Sequence, residues 1–220
     1  FTDMIYISIY AIIGVLVMAK GPIYLPDSYT FVDMAFNHSP AYCIFLKIFT
    51  STFGAYFELP VVITQYLIIA FGIHFFVKTL KRLFHIHKVG ILIIQLICLV
   101  PCVYVHNLGS AILSEALTYP IFLVIFALTL RMFVEENLKY LYKISILLFV
   151  LILTRGQFLA LIAALILIVS YIIFKKKSFV NQFYFLAILI VIPILTSFTE
   201  RVYNKIVFGH FENNAMNYVH

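Results

Sequence analysis

Apolar residues run in long stretches at 4–19, 60–77, 89–105, 111–130, 144–154, 157–174 and 183–198, separated by short polar or basic segments. Most of them approach the roughly 20 residues a helix needs to cross a hydrocarbon core of about 30 Å. The pattern predicts an all-α polytopic membrane protein with about seven transmembrane helices. The fifth stretch is too short to cross alone, and Thr154-Arg155-Gly156-Gln157 interrupts what would otherwise be one very long span. Such a break belongs in protein or in a watery cavity, because lipid cannot satisfy the freed backbone groups.

The segment between the first two spans has its own pattern. Pro26-Asp27-Ser28-Tyr29 leads into Thr30-Phe31-Val32-Asp33-Met34-Ala35-Phe36, where Phe31, Val32, Ala35 and Phe36 recur at helical spacing with Asp33 on another face. This predicts a short helix on the membrane surface, and residues 41–53 predict a second. Asp27, just ahead of the first, reads as its N-cap, as a general base, or as both, since a cap orients a carboxylate. Asn107, Ser110, Ser114 and Thr118 read as one helical stripe with Glu115 beside it.

Composition excludes a water-soluble domain: 64% of the 220 residues are hydrophobic and 11% are charged, too few to cover a surface facing water. The formal charge of +6 does not point to nucleic acid, because the basic residues are scattered between apolar spans. It points to topology. Lys78, Lys81, Arg82 and Lys88 follow the second span, Arg131, Lys139 and Lys143 the fourth, and Lys175, Lys176 and Lys177 the sixth, so ten of the fifteen Lys and Arg fall on one side. The positive-inside rule makes that side cytoplasmic, together with the start of the chain. Residues 20–59, 106–110 and 199–220 then share the outer face with Lys20, Lys47, Arg155, Arg201 and Lys205. Six of the nine acids lie there too: Asp27, Asp33, Glu58, Glu115, Glu200 and Glu212. The expected localisation is therefore integral and multi-pass, with any active site on the outer face.

Cys43, Cys98 and Cys102 read as buried thiols, Cys98 and Cys102 lying four apart in an apolar helix without His or acidic partners at ligand spacing. Neither His106 nor His210 has paired ligand spacing, and both read as interfacial polar residues. Glu115 is either an interfacial carboxylate reaching water or an active-site acid facing Asp27, because a carboxylate at the membrane boundary needs a partner or water. Arg155 either satisfies carbonyls at the broken helix or binds an anion, and guanidinium geometry suits phosphate. The chain opens on Phe1 and reads as one transmembrane domain over 1–220, part of a longer protein.

Asp27-Ser28-Tyr29, Ser39-Pro40-Ala41-Tyr42, Gly54, Gln65, Ser114-Glu115, Thr154-Arg155-Gly156, Arg201-Val202-Tyr203-Asn204 and Gly209-His210-Phe211 follow one another in order. The series resembles the N-terminal part of GT-C membrane glycosyltransferases, the group containing protein O-mannosyltransferases and the lipid A aminoarabinose transferase. These use sugars carried on polyprenyl phosphate. The resemblance implies a catalytic role for Asp27, with Glu115 as a second carboxylate, and substrate binding by Tyr29, Arg155, Arg201 and Asn204. It implies a polyprenyl-phosphate sugar donor, membrane lipid and an acceptor of unknown identity as partners. Two departures stand out: Ser28 follows Asp27 where the family often has a second acid, and Val202 intervenes in the family's arginine-asparagine-tyrosine segment. The first weakens the case for metal binding, so the cofactor is left unknown, with a divalent metal as the one option.

Other functions use the same features. A transporter or channel could line a substrate path with Glu115, Arg155 and the broken helix, and a scaffold could use polar residues only to satisfy helix ends. A surface-polysaccharide polymerase or ligase is the nearest enzymatic alternative.

Overall fold

The computed structural model describes residues 2–35, 38–104, 107–176 and 179–213. Phe36, His106 and Lys177, named above, lie outside the described residues. The described chain forms nine α-helices: α1 (Thr2–Lys20), α2 (Pro26–Val32), α3 (Pro40–Phe53), α4 (Glu58–Phe84), α5 (Lys88–Val103), α6 (Glu115–Val134), α7 (Tyr140–Thr154), α8 (Ala160–Lys175) and α9 (Phe179–Phe208). Two short 3₁₀ segments sit at Gly54–Tyr56 and Gly156–Leu159. The fold is all-helical.

Four helical stretches are long and apolar enough to cross a membrane: Glu58–Phe84, Glu115–Val134, Gly156–Lys175 and Phe183–Phe208. The other apolar stretches form shorter helices over Tyr6–Lys20, Lys88–Val103 and Tyr140–Thr154. In the last two long helices only 28% and 22% of the apolar window is buried within the protein. Helices so apolar and so little covered need an apolar solvent around them, which is what a bilayer provides.

The chain divides into two compact units. Unit 1 comprises Phe1–Ala35 and Tyr42–Val124, and unit 2 comprises Phe36–Ala41 and Ile125–His220.

In unit 1, α4 packs on α1 and α5, and α1 also packs on α5. The buried stripe of α4, Val62, Gln65, Tyr66, Ile69, Gly72, Ile73 and Val77, repeats every three to four residues and turns toward the protein, with Gln65 on Tyr42 of α3 and Gly72 on Pro120 of α6. Carbonyls at the end of α5 are satisfied within the unit, as an apolar surrounding demands. At the end of α5, Leu108 N–H donates to the Pro101 carbonyl at 3.1 Å and Gly109 N–H to that of Cys102 at 3.3 Å. Lys20 Nζ covers the Val103 carbonyl at 2.8 Å and also donates to Asn107 Oδ1 at 2.7 Å.

These contacts define two ends of unit 1. One gathers the last turns of α1 and α5, the first turns of α4 and α6, and the segment 21–28. It carries Asp27, Glu58 and Glu115 and is the acidic end. The other gathers the start of α1, the end of α4 and the start of α5, where Tyr6 O–H donates to the Lys88 carbonyl at 3.2 Å. It carries Lys78, Lys81, Arg82 and Lys88 and is the basic end.

In unit 2, α9 packs on both α7 and α8. The break expected at 154–157 is present: α7 ends at Thr154, Arg155 is extended (φ −152°, ψ 112°), and the 3₁₀ turn restarts the chain into α8. Lys175 pairs with Glu136, joining the loop after α6 to the end of α8. The exposed Lys175 ammonium holds the Glu136 carboxyl below the usual carboxylate range.

Candidate functional site

The acidic end of unit 1 is built by a non-local backbone pairing. Ile23 N–H donates to the Ser110 carbonyl at 2.9 Å, and Ile112 N–H donates to the Ile23 carbonyl at 3.1 Å. This parallel bridge sets the root of α2 beside the segment that enters α6. It is locked from below by buried Ser110, whose Oγ donates to the Val17 carbonyl at 3.0 Å. Gly109 makes the approach possible, since a Cβ there would stand 2.7 Å from Val17 Cγ2. Asn107–Thr118 is accordingly not one helical stripe. Residues 107–114 are turn and bridge, with Asn107 at φ 49°, and α6 begins only at Glu115.

Asp27 is not the N-cap of α2. Leu25 holds that position, Pro26 takes the first helical place with its φ already fixed, and Asp27 is the second helical residue. Capping falls to buried Ser28, whose Oγ accepts from Leu25 N–H at 2.8 Å. Asp27 still gains from the positive end of the helix dipole, and its exposed carboxylate has no hydrogen bond or ion pair among the described residues. α2 also ends sooner than the apolar spacing predicts. Met34 takes a left-handed φ of 54°, and the bonds Met34 N–H to Phe31 O (3.2 Å) and Ala35 N–H to Thr30 O (2.9 Å) close the helix there. Of the apolar set that predicted a longer helix, Phe36 lies outside the described residues.

A pairing that sequence reading passed over stands beside Asp27's helix. Tyr24 O–H donates to Glu58 Oε1 at 2.6 Å, and its ring stacks on Tyr29 at 5.1 Å. Burial, then the Glu58 carboxylate, pushes the Tyr24 phenol up, so it stays a donor at any ordinary pH. Tyr29, 61% exposed, thus lies on a fixed aromatic shelf. Beneath them α3 turns Tyr42, Cys43 and Leu46 into a cluster with Phe31, Val61, Ile112 and Leu117, leaving Ile44 and Ile48 exposed. The second predicted surface helix is therefore amphipathic, with one face on the protein.

Tyr42 is fully buried and accepts from Gln65 Nε2 at 2.8 Å. Burial drives its phenol well above the ordinary range, the Gln65 bond opposes this, and the Glu115 charge adds to it. Glu115 is thus within electrostatic reach of Tyr42. Its Oε2 accepts from Ser114 Oγ at 3.2 Å, as the first residue of α6. Gln65 Oε1 is buried without a hydrogen-bond partner among the described residues, an unused acceptor beside Tyr42.

The cationic candidates belong to unit 2. Arg155 is half-buried at the helix break. α9 runs past the predicted end of the last span at 198, carries Arg201 and Asn204, and stops after Phe208 where Gly209 reverses the chain at φ 82°. Residues 212–213 fold back on the helix: buried Asn204 donates from Nδ2 to the Glu212 carbonyl at 2.7 Å, and Arg201 Nε donates to Asn213 Oδ1 at 3.2 Å. Asn204 therefore positions the reversal, while the terminal guanidinium nitrogens of exposed Arg201 have no partner among the described residues. His210 is exposed just beyond the reversal.

Cys43 and Cys102 are buried free thiols and Cys98 is half-buried, with the Tyr119 hydroxyl donating to its carbonyl at 2.7 Å. No family model, curated protein or solved structure matches the chain.

Proposed function

We propose that the protein is a glycosyltransferase of the GT-C kind that moves a sugar from a polyprenyl-phosphate donor to an acceptor at the outer face of the membrane. The supporting observation is the state of the three carboxylates at the acidic end of unit 1. Glu58 accepts from Tyr24 and Glu115 from Ser114, whereas Asp27 is held on the first turn of α2 with its lone pairs unengaged by any of the described residues. A general base needs a lone pair open to the proton it takes.

In the reaction, the acceptor hydroxyl gives its proton to the Asp27 carboxylate as its oxygen bonds to the anomeric carbon. The bond from that carbon to the phosphate oxygen breaks, and the electron pair leaves on the polyprenyl phosphate. A phosphate of low basicity needs no general acid, so one carboxylate and cationic contacts to the departing phosphate suffice. Tyr29 offers an exposed ring for the sugar face, with Glu115 as a second carboxylate near the entrance to α6. At least one of Arg155 and Arg201, both in unit 2, binds the donor phosphate, and Asn204 holds the turn that presents Arg201.

Arg201→Lys and Arg155→Lys keep the charge and remove the planar fork that pairs with two phosphate oxygens. The expected result is donor affinity weakened about ten-fold or more for at least one variant, read by titrating donor lipid into the detergent-solubilised chain. Unchanged affinity in both would remove the phosphate contact from the proposal.

The reading also requires the acidic end of unit 1 to face outward. The contact between Glu136 and Lys175 favours one side for the two basic loops of unit 2, as the positive-inside reading needs. In a chain freed of its native cysteines, an impermeant thiol reagent on intact cells is expected to label Asn37→Cys and to spare Lys176→Cys. The reverse pattern would invert the threading and place the carboxylates in the cytoplasm.

A further inference from the structure

The basic end of unit 1 contains a cavity of about 460 Å³ between α1, α4 and α5, within the usual range of about 300–1,000 Å³ for small-molecule sites. Its walls combine apolar Ile7, Val77 and Ile91 with His74, Lys78 and Lys81. The three cationic or titratable residues are spaced by four and three along α4, so they share one face of the helix. None of the lining residues from Tyr6 onward is a carboxylate.

Two other polar groups of the walls are already engaged. Buried Gln95 gives its amide to the Tyr6 carbonyl at 3.0 Å, and the Tyr6 hydroxyl is bonded to the Lys88 carbonyl. The Tyr10 ring meets His74 edge-on, with centroids 6.3 Å apart. Lys78 and Lys81 are exposed and have no hydrogen bond or ion pair among the described residues.

Depth decides what such a cavity meets. Glu58 and Lys78 are twenty residues apart on one helix. At 1.5 Å per residue that is about 30 Å, the thickness of the hydrocarbon core. With Glu58 at one boundary, Lys78 stands at the other. Lys81 then lies in the headgroup layer and His74 about one turn inside the apolar layer, beside Ile7 and Ile91. A ligand there needs an anionic head and an apolar body.

We propose that this cavity is a binding site for an anionic phospholipid of the leaflet at the basic end, its phosphate between Lys78 and Lys81 and its acyl chain along Ile7, Val77 and Ile91. The site is distinct from the acidic end and does not depend on the transferase reading. Its role is to seat α1 against α4 and α5 where apolar packing gives way to a cavity.

The test uses the full chain in neutral detergent, with bound lipid counted by native mass spectrometry during titration. Dioleoyl phosphatidylglycerol is expected to bind one-to-one and dioleoyl phosphatidylcholine much more weakly. Each lysine beside an anionic lipid contributes about five-fold in affinity, so Lys78→Gln/Lys81→Gln should weaken phosphatidylglycerol binding roughly thirty-fold. The equally charge-reducing pair Lys139→Gln/Lys143→Gln, outside the cavity, should leave it unchanged. Both pairs are exposed, so size-exclusion profiles should match the parent. Equal binding of the two lipids, or equal loss in both variant pairs, would overturn the site. Displacement of phosphatidylglycerol by inorganic phosphate alone would overturn the lipid assignment and leave a phosphate site.

Discussion

Asp27→Asn is expected to reduce sugar transfer about 10²–10⁴-fold while the protein remains folded, because that is what a general base typically contributes. The amide keeps the shape of the side chain and loses the ability to take the acceptor's proton. The structure makes this substitution cleaner than the sequence suggested. Were Asp27 the N-cap, Asn would preserve the cap, and other substitutions would confuse catalysis with helix stability. Ser28 does the capping, so Asp27 contributes to α2 only through the helix dipole, about 0.3–1 kcal/mol at an exposed site. Ser28→Ala is the structural counterpart: loss of a cap costs about 1 kcal/mol and should loosen α2 without removing the base. Turnover of purified Asp27→Asn at saturating donor is the measurement. Near-full turnover would end the proposed role of Asp27. Retention of rate there together with its loss in Glu58→Gln would move the base to the carboxylate that Tyr24 holds.

What the sequence revealed of this end was local, and what it concealed was not. The second surface helix was legible because Pro40 starts α3 and apolar residues at Tyr42, Cys43, Leu46 and Phe49 mark one face. The interruption at Arg155 was legible because a charge and a glycine break a long apolar run. The early stop of α2 was hidden, since Met34 is a left-handed residue without the usual Gly or Asn signal. Ser110, Ser114 and Thr118 mimicked a helical stripe because turns reuse the same spacing, and only the bridge to Ile23, across more than eighty residues, shows otherwise. Tyr24 and Glu58 are 34 residues apart, so no window on the chain could have paired them. In α9 the apolar run ends near residue 198 while the helix continues, because polar residues propagate a helix as well as apolar ones until Gly209 stops it.

The same distinction between local preference and distant packing governs stability, and Gly72 is where the two conflict most. Glycine inside a helix costs about 1 kcal/mol relative to alanine, so helix preference alone predicts that Gly72→Ala stabilises α4. The packing predicts the opposite. A Cβ at Gly72 would stand 2.7 Å from Pro120 Cβ, 2.8 Å from its Cα and 2.9 Å from its carbonyl oxygen. Two of those atoms are backbone in the first half of α6 and cannot rotate aside, so α4 and α6 would have to separate. Small residues at helix contacts serve this purpose in membranes, where close packing replaces the hydrophobic drive between helices. Overpacking of this kind costs about 1–3 kcal/mol, enough to outweigh the helix-preference gain over most of that range. Gly90 supplies the contrast: its Cβ would meet only Ile86 Cγ2, at 2.9 Å, the end of a side chain that can turn away. Gly72→Ala is therefore expected to lower the thermal midpoint of the detergent-solubilised protein, and Gly90→Ala to leave it unchanged or raise it. Equal or higher stability in Gly72→Ala would mean that α4 and α6 do not approach as closely at Pro120 as this fold requires.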